Sequence, residues 1–295
     1  MKHSFIVDYM TRKLKEKNLT IAVIIPTYNE ELTIGNIIKK LGKNSQLVNN
    51  VYVIDDGSTD STVRTARRAG AIVFERKKKG NFKYRSFSGK GFALWESGSL
   101  VIEDIIVVYD GDIQNPSIQH VTTLLAPLID NNKIGLCKAN FDRNLHLHRQ
   151  VIKNHGGRQT ELLVKPLMGF LFPELVKFSQ PTGGLYSVKR KHLQELEVLG
   201  EAGADMSILV NYAKRFGIDK IAEAHIGEIK HRNKELNTLA KTSPKLIQSL
   251  FYLAKRIDEF QEYALTYKEQ ETMKVKIVKS SLIILPPHKK GENIP

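Results

Sequence analysis

The sequence predicts an α/β domain, a mostly parallel sheet flanked by helices, with a small helical C-terminal extension. Three observations carry that prediction. Short apolar runs at residues 21–25, 51–54, 71–74 and 105–109 alternate with segments of helical spacing, the pattern of a doubly wound sheet. The first of these runs is apolar throughout, as in strands buried on both faces. The polar turns that interest the chemist follow strands, and the carboxyl ends of strands are the ligand edge of such a sheet.

In chain order, a short amphipathic helix reaches Leu14. Residues 21–25 form the first strand and end at Pro26. Leu32, Ile34, Ile37, Ile38 and Leu41 then repeat at helical spacing. The strand at 51–54 runs into Asp55-Asp56-Gly57-Ser58, and Thr59 or Asp60 caps a helix that reaches Ala69. Residues 76–88 mix Lys, Arg, Gly, Phe and Tyr without a period and read as a loop. The strand at 105–109 ends in Asp110-Gly111-Asp112, and 134–139 is a fifth strand. A helix is expected at 158–172, a turn at 180–184 before another strand, a helix at 206–216 and an extended segment at 218–230. Leu246, Ile247, Leu250, Leu253 and Ile257 place a long amphipathic helix at 245–265. Residues 275–285 are β-rich with no evident partner in the chain, so pairing with a second subunit is expected.

The 295 residues are enough for one large domain with an appendage. Apolar residues make up 41% and charged residues 26%, an ordinary globular balance. Lys and Arg number 45 against 31 Asp and Glu, a net +14 that favours anionic partners. Apart from Lys77, Lys78 and Lys79 the basic residues are scattered, so nucleic acid is not the expected partner. The single cysteine, Cys137, lies in an apolar stretch and reads as core. No apolar stretch reaches the ~18 residues of a membrane span, and the start MKHSFIVDYM lacks a signal-peptide core. A cytoplasmic protein without membrane contact is expected.

Asp110-Gly111-Asp112 places two carboxylates around a glycine at a strand end. Such carboxylates can hold magnesium or manganese together with phosphate oxygens, and the cation can neutralise a departing diphosphate. Pro26-Thr27-Tyr28-Asn29-Glu30 and Asp55-Asp56-Gly57-Ser58-Thr59-Asp60 share that sheet edge, where Asp55 or Asp56 can accept hydrogen bonds from a base or ribose. Gly156 and Gly157 precede the helix that starts near Arg158. Exposed N–H groups at a helix start bind anions, Arg158 adds a planar fork and Thr160 a hydroxyl. Lys90, between two glycines, can reach a phosphate. Trp95 reads as core, and His146, His148, His155 and His225 carry no functional pattern.

The first three segments, in this order, resemble the GT-A nucleotide-sugar transferases, a likeness that polyprenyl-phosphate glycosyltransferases share. Four further stretches narrow it: Gly89-Lys90-Gly91-Phe92-Ala93-Leu94-Trp95, Gly156-Gly157-Arg158-Gln159-Thr160-Glu161-Leu162, Gln180-Pro181-Thr182-Gly183-Gly184-Leu185-Tyr186 and His231-Arg232-Asn233. These are similar to segments of the glucosyl-3-phosphoglycerate synthases, and the resemblance spans about residues 20–250. It implies a GT-A, Rossmann-like sheet and retaining transfer of glucose from UDP-glucose to the 2-hydroxyl of 3-phosphoglycerate. It implies Asp112, Lys90 and Arg158 as catalytic residues. Donor contacts fall on Pro26, Tyr28, Glu30, Asp56, Gly57, Ser58, Lys90, Asp110, Gly111, Asp112 and Asp205. Acceptor contacts fall on Gly157, Arg158, Thr160 and Asn233, and Asp112 with His231 would hold Mg2+ or Mn2+.

A homodimer is also implied. The chain then divides into an N-terminal segment (1–20), a nucleotide-sugar half (21–140), an acceptor half (141–240) and a C-terminal helix and tail (241–295). One departure stands out. Where the family carries G-Y-G-x-E, this chain has Glu201-Ala202-Gly203-Ala204-Asp205, which leaves glucose and mannose both open as the sugar. A lipid-phosphate acceptor predicts a membrane anchor, and a non-catalytic anion-binding protein predicts a clustered basic surface.

Overall fold

The computed structural model describes residues 2–42, 46–76, 89–147, 150–152, 156–231, 236–256, 260–269, 272–281 and 283–288. Helix α1 (Lys2–Glu16) leads into β1 (Ile21–Thr27), α2 (Ile34–Gly42), β2 (Asn50–Asp55), α3 (Thr62–Arg68) and β3 (Ile72–Glu75). Next come α4 (Lys90–Leu100), β4 (Ile105–Val108), α5 (Ile118–Asp130) and β5 (Leu136–Asp142). Two short strands, β6 (Leu145–Leu147) and β7 (Gln150–Ile152), pair antiparallel. A π-helical turn at Thr160–Val164 runs straight into α6 (Lys165–Leu171). Then follow β8 (Tyr186–Lys189), α7 (Arg190–Gln194), β9 (Val198–Leu199), α8 (Ala204–Phe216), β10 (Ile221–Glu228) and α9 (Leu236–Leu253). The chain closes with β11 (Phe260–Glu269), β12 (Thr272–Ser281) and β13 (Ile284–Leu285).

Among the described residues, the central sheet has the order β10-β5-β8-β4-β1-β2-β3. Its pairs are parallel except those of β8, which runs antiparallel to both β4 and β5. The expected mostly parallel α/β sheet is therefore what forms. Both faces of β1 are buried: Ala22 and Ile24 join one apolar cluster with α4 and α8, while Ile21, Val23 and Ile25 join another with α2 and α5. A strand covered on both sides has no polar face, which explains the uninterrupted apolar run. Strand order reverses at β1, whose neighbours are β2 on one side and β4 on the other, so a crevice opens beyond the carboxyl ends of β1 and β4.

Cys137 and Trp95 are core residues, 0% and 7% exposed. Trp95 Nε1 donates to the Pro286 carbonyl at 2.6 Å and its ring stacks on His288 at 4.5 Å, so the chain end is fastened to α4. At the start of α3, Ser61 holds the N-cap position without a side-chain cap bond, and Asp60 accepts from Thr62 N at 2.9 Å.

Two expectations for the C-terminal part are corrected. The long helix is α9, which begins at Leu236 instead of 245 and ends at Leu253. Pro244, normally a helix breaker, sits inside it. Phe260–Glu269 is a strand, and its antiparallel partner is β12, Phe260 opposite Ser281 and Glu269 opposite Thr272. The β-rich tail thus finds its partner within its own chain. Ile257 lies outside the described residues. No helix among the described residues is long and apolar enough to cross a membrane.

Candidate active site

The loops after β1 and β2 are stapled together. Asp55, 2% exposed, spends its carboxylate on its own turn, accepting from Gly57 N and Ser58 N at 2.9 Å each. Ser58 Oγ in turn accepts from Asn29 N at 2.9 Å, and Asn29, with φ of 56°, accepts from Thr59 N through Oδ1 at 2.9 Å. Thr62 Oγ1 accepts from Glu30 N at 2.8 Å. The first loop is also tied to the turn after β4, where Thr33 Oγ1 donates to the Gly111 carbonyl at 2.6 Å.

Beyond these loops lies a cavity of about 560 Å³. Pro26, Tyr28, Glu30, Lys90, Asp110, Gly111, Asp112, Asp205 and His231 line it, as do Gly157, Arg158 and Thr160 at the helix start. Ala202 lines it too. Three expected donor contacts do not line it. Asp56 is turned to Gly89 N, which donates to Oδ2 at 2.7 Å, and to an ion pair with Arg76. Burial raises its carboxyl above the ordinary range, against the pull of Gly89 N and Arg76. Gly57 and Ser58 belong to the Asp55 turn. Asn233 lies outside the described residues.

Lys90 is the electrostatic centre of the cavity. It stands at the first turn of α4, with Nζ 2.5 Å from Asp110 Oδ1 and 2.9 Å from Asp205 Oδ2. Burial alone would push the ammonium down, but the two carboxylates outweigh it and hold Lys90 above its ordinary value. Burial would likewise raise Asp110, and Lys90 instead holds it low. Gly184 presses against this pair so closely that an added Cβ would collide with both Lys90 Nζ and the Asp110 carboxylate. A second ammonium supports that turn from below. Lys138, 0% exposed on β5, donates to the Gly183 carbonyl at 2.6 Å and lies 4.6 Å from the Tyr186 ring centre. Burial brings Lys138 down to about 8.

On the other side, Gly157 adopts φ of +72°, a left-handed conformation that glycine enters without strain. Arg158 and Gln159 open the helical run, and Thr160 begins its π-helical turn, a feature common at functional sites. Thr160 Oγ1 lies 2.7 Å from Thr182 Oγ1. Gln159 Nε2 ties this turn to α9 through the Leu239 carbonyl and Thr242 Oγ1, both at 2.7 Å.

Asp112 and His231 share the cavity wall, and their donor types suit Mg2+ or Mn2+ at a diphosphate. Burial, followed by the charge of Arg143, lowers His231 below its ordinary value, which favours the neutral imidazole with its lone pair. Among the described residues no three His, Cys, Asp or Glu side chains cluster as a closed metal cage. A cation held at such a pair would draw its remaining ligands from phosphate and water, as magnesium usually does.

Arg143, which also lines the cavity, is the residue that pattern reading missed. It carries no motif, but it follows the carboxyl end of β5, and the ligand-edge rule points there. Lys138 was hidden because a lysine within an apolar strand gives no sign that it is buried.

The family model of glycosyl transferase family 2 matches residues 22–188. The glucosyl-3-phosphoglycerate synthase of Mycolicibacterium smegmatis is 35% identical over 232 residues, 78% of this chain and 76% of that protein. A crystal structure of the Mycobacterium tuberculosis glucosyl-3-phosphoglycerate synthase with Mn2+, UDP-glucose and phosphoglyceric acid matches at a TM-score of 0.83 and 32% identity, covering 95% of this chain and 93% of that one. The mannosyl-3-phosphoglycerate synthase of Rubrobacter xylanophilus matches at a TM-score of 0.84 and 24% identity, covering 94% and 92%, a likeness of fold.

Proposed function

Since the chain belongs to the glucosyl-3-phosphoglycerate synthases of glycosyl transferase family 2, we propose that it transfers glucose from UDP-glucose to the 2-hydroxyl of 3-phosphoglycerate with retention. The observation that carries this is the meeting, in one cavity, of an Asp-Gly-Asp strand end with a glycine-led helix start bearing Arg158 and Thr160. One side suits a diphosphate and the other a phosphorylated acceptor.

In the reaction the bond from the anomeric carbon to the diphosphate oxygen breaks, and a bond from that carbon to the acceptor oxygen forms. The acceptor's proton passes to the leaving diphosphate. Asp112 and His231 would hold a divalent cation, which would supply Lewis-acid neutralisation of that leaving group. Lys90 offers it a further positive charge. Asp110 and Asp205 both pair with Lys90, which makes each a poor nucleophile and favours a route without a covalent enzyme intermediate. Pro26, Tyr28, Glu30, Gly111 and Asp205 form the donor pocket, with Asp56, Gly57 and Ser58 shaping the loop beside it. Gly157, Arg158 and Thr160 anchor the acceptor phosphate, joined by Asn233. Catalysis on this account is positioning and electrostatics.

Residues 21–140 serve the donor and 141–240 the acceptor, with Asp205 and His231 reaching from the second half to the donor, while 1–20 and 241–295 flank them. A cytoplasmic homodimer completes the proposal, and sedimentation of the pure protein checks the dimer. The central test is nucleoside diphosphate release with Mg2+, 3-phosphoglycerate and a panel of UDP- and GDP-sugars. Release from UDP-glucose that requires phosphoglycerate and vanishes in Asp112→Ala is expected. Release from GDP-mannose alone would replace the sugar, and none from any donor would reject the acceptor.

A further inference from the structure

Arg143 brings a permanent positive charge to the cavity, and among the described residues no carboxylate forms an ion pair with it. Its guanidinium lies over the Phe141 ring, 4.9 Å from the ring centre. Its side chain packs under the loop that precedes Arg158: a Cβ at Gly156 would stand 2.8 Å from Arg143 Cβ, and one at Gly157 would stand 3.3 Å from Nη1. Gly156 N donates to the Arg143 carbonyl at 3.0 Å. Yet the buried Nε finds no hydrogen-bond partner among the described residues. Asp110, Asp112 and Glu161 act on the guanidinium only through distance, and none hydrogen-bonds it. Glu161 is instead paired with Lys165 at 2.6 Å.

A guanidinium does not shed its proton at ordinary pH, and an enclosed charge without a partner is costly. A cavity that carries such a group is therefore arranged to receive an anion beside it. Arg143 lies between the two halves of the site, in electrostatic reach of Asp112 and His231 and in packing contact with Gly157. Of the anionic groups the substrates bring, the diphosphate has the cation and Lys90, and the acceptor phosphate has Gly157 and Arg158. The acceptor carboxylate remains. It sits on the carbon next to the reacting hydroxyl, and a planar two-oxygen anion matches the guanidinium fork.

We propose that Arg143 binds the carboxylate of the glycerate acceptor and thereby orients the adjacent 2-hydroxyl toward the donor. The inference rests on the phosphoglycerate reading above and adds a specificity residue to it.

The test compares wild type with Arg143→Gln and Arg143→Lys, using 3-phosphoglycerate and glycerol 3-phosphate, which keeps the hydroxyl and phosphate but lacks the carboxylate. Calorimetric binding is measured with UDP and Mg2+ present, and turnover with UDP-glucose. In Arg143→Gln, affinity for 3-phosphoglycerate should fall about 100-fold, the scale of losing one partner of an enclosed charge pair, toward that of glycerol 3-phosphate. Glycerol 3-phosphate binding and KM for UDP-glucose should stay within about threefold, since neither meets Arg143. Arg143→Lys should recover part of the loss. The melting temperature of Arg143→Gln should hold or rise, because no internal partner is stranded.

Equal losses for the two acceptors would overturn the carboxylate assignment. If UDP-glucose hydrolysis without acceptor fell equally, the arginine would serve the diphosphate instead. A fall in melting temperature of several degrees would make it structural. Wild type that neither binds nor uses 3-phosphoglycerate would overturn the function itself and the inference with it.

Discussion

Lys90 Nζ, at the first residue of α4, lies 2.5 Å from the Asp110 carboxylate beyond the end of β4. Two residues far apart in sequence thus meet as a charge pair on the cavity wall. Replacing Lys90 by Met strands Asp110 and Asp205 in a partly enclosed site. Sugar transfer should fall by about 10²- to 10³-fold, the scale of losing one electrostatic donor to a transition state. Asp110 is now held low, so the stability it contributes is present above the ordinary carboxylate value and lost as pH falls through the depressed one. Without the ammonium, burial moves Asp110 up. The acid limb of the melting curve in Lys90→Met should therefore shift to higher pH, which a series of thermal melts checks. An unshifted limb would show that Lys90 does not set the Asp110 carboxyl.

Gly184→Ala should damage both stability and activity. Its Cβ would collide with Lys90 Nζ and the Asp110 carboxylate, and neither can retreat without breaking the pair. Overpacking of this kind costs about 1–3 kcal/mol. A lowered melting temperature together with weaker UDP-glucose turnover is the expected result. Retained activity would mean that the Gln180–Tyr186 turn can withdraw.

Asp112→Asn and His231→Gln should each raise the Mg2+ or Mn2+ concentration for half-maximal activity by at least the roughly 10- to 100-fold that loss of a mere outer-shell partner costs. Chelation of wild type should abolish nucleoside diphosphate release, and added metal should restore it. Because burial and Arg143 keep His231 below its ordinary value, metal dependence should change little between pH 8 and its ordinary 6.5. Metal titrations across that range test this, and a steep weakening near pH 7 would count against His231 as the ligand.

His120 offers a pH test away from the chemistry. Its ring, 6% exposed, lies 2.8 Å from Tyr109 Oη, and burial lowers it from 6.5 to about 4. The unfolded chain takes up a proton near 6.5 that the folded chain refuses until about 4. Folding stability should therefore decline as pH falls through that window. His120→Gln should cost about 1 kcal/mol near neutrality and flatten the decline between pH 6.5 and 4. Identical slopes in the two proteins would exclude His120 as the source.

Much of this protein was written locally. The apolar run of β1 declares a strand buried on both faces, and Asp110-Gly111-Asp112, Gly157, Arg158 and Thr160 are legible because short-range spacing sets strand ends and helix starts. Other features were decided only by assembly. Residues 260–265, the first part of β11, read as the end of the helix until β12 supplies a hydrogen-bonding partner, because pairing energy comes from a second segment. Asp56 looks like a ligand contact, but its carboxylate is taken up by Gly89 N and Arg76, both distant in sequence. Arg143 and Lys138 belong to no pattern. Their importance follows from which charges the fold leaves beside them: Lys138 finds the Gly183 carbonyl, while Arg143 Nε finds no partner among the described residues. The sequence by itself determined the strands of the central sheet and the polar turns at their ends. The tertiary structure decided which charges are paired and which remain for substrate, because Coulomb energy and desolvation depend on distances that only folding sets.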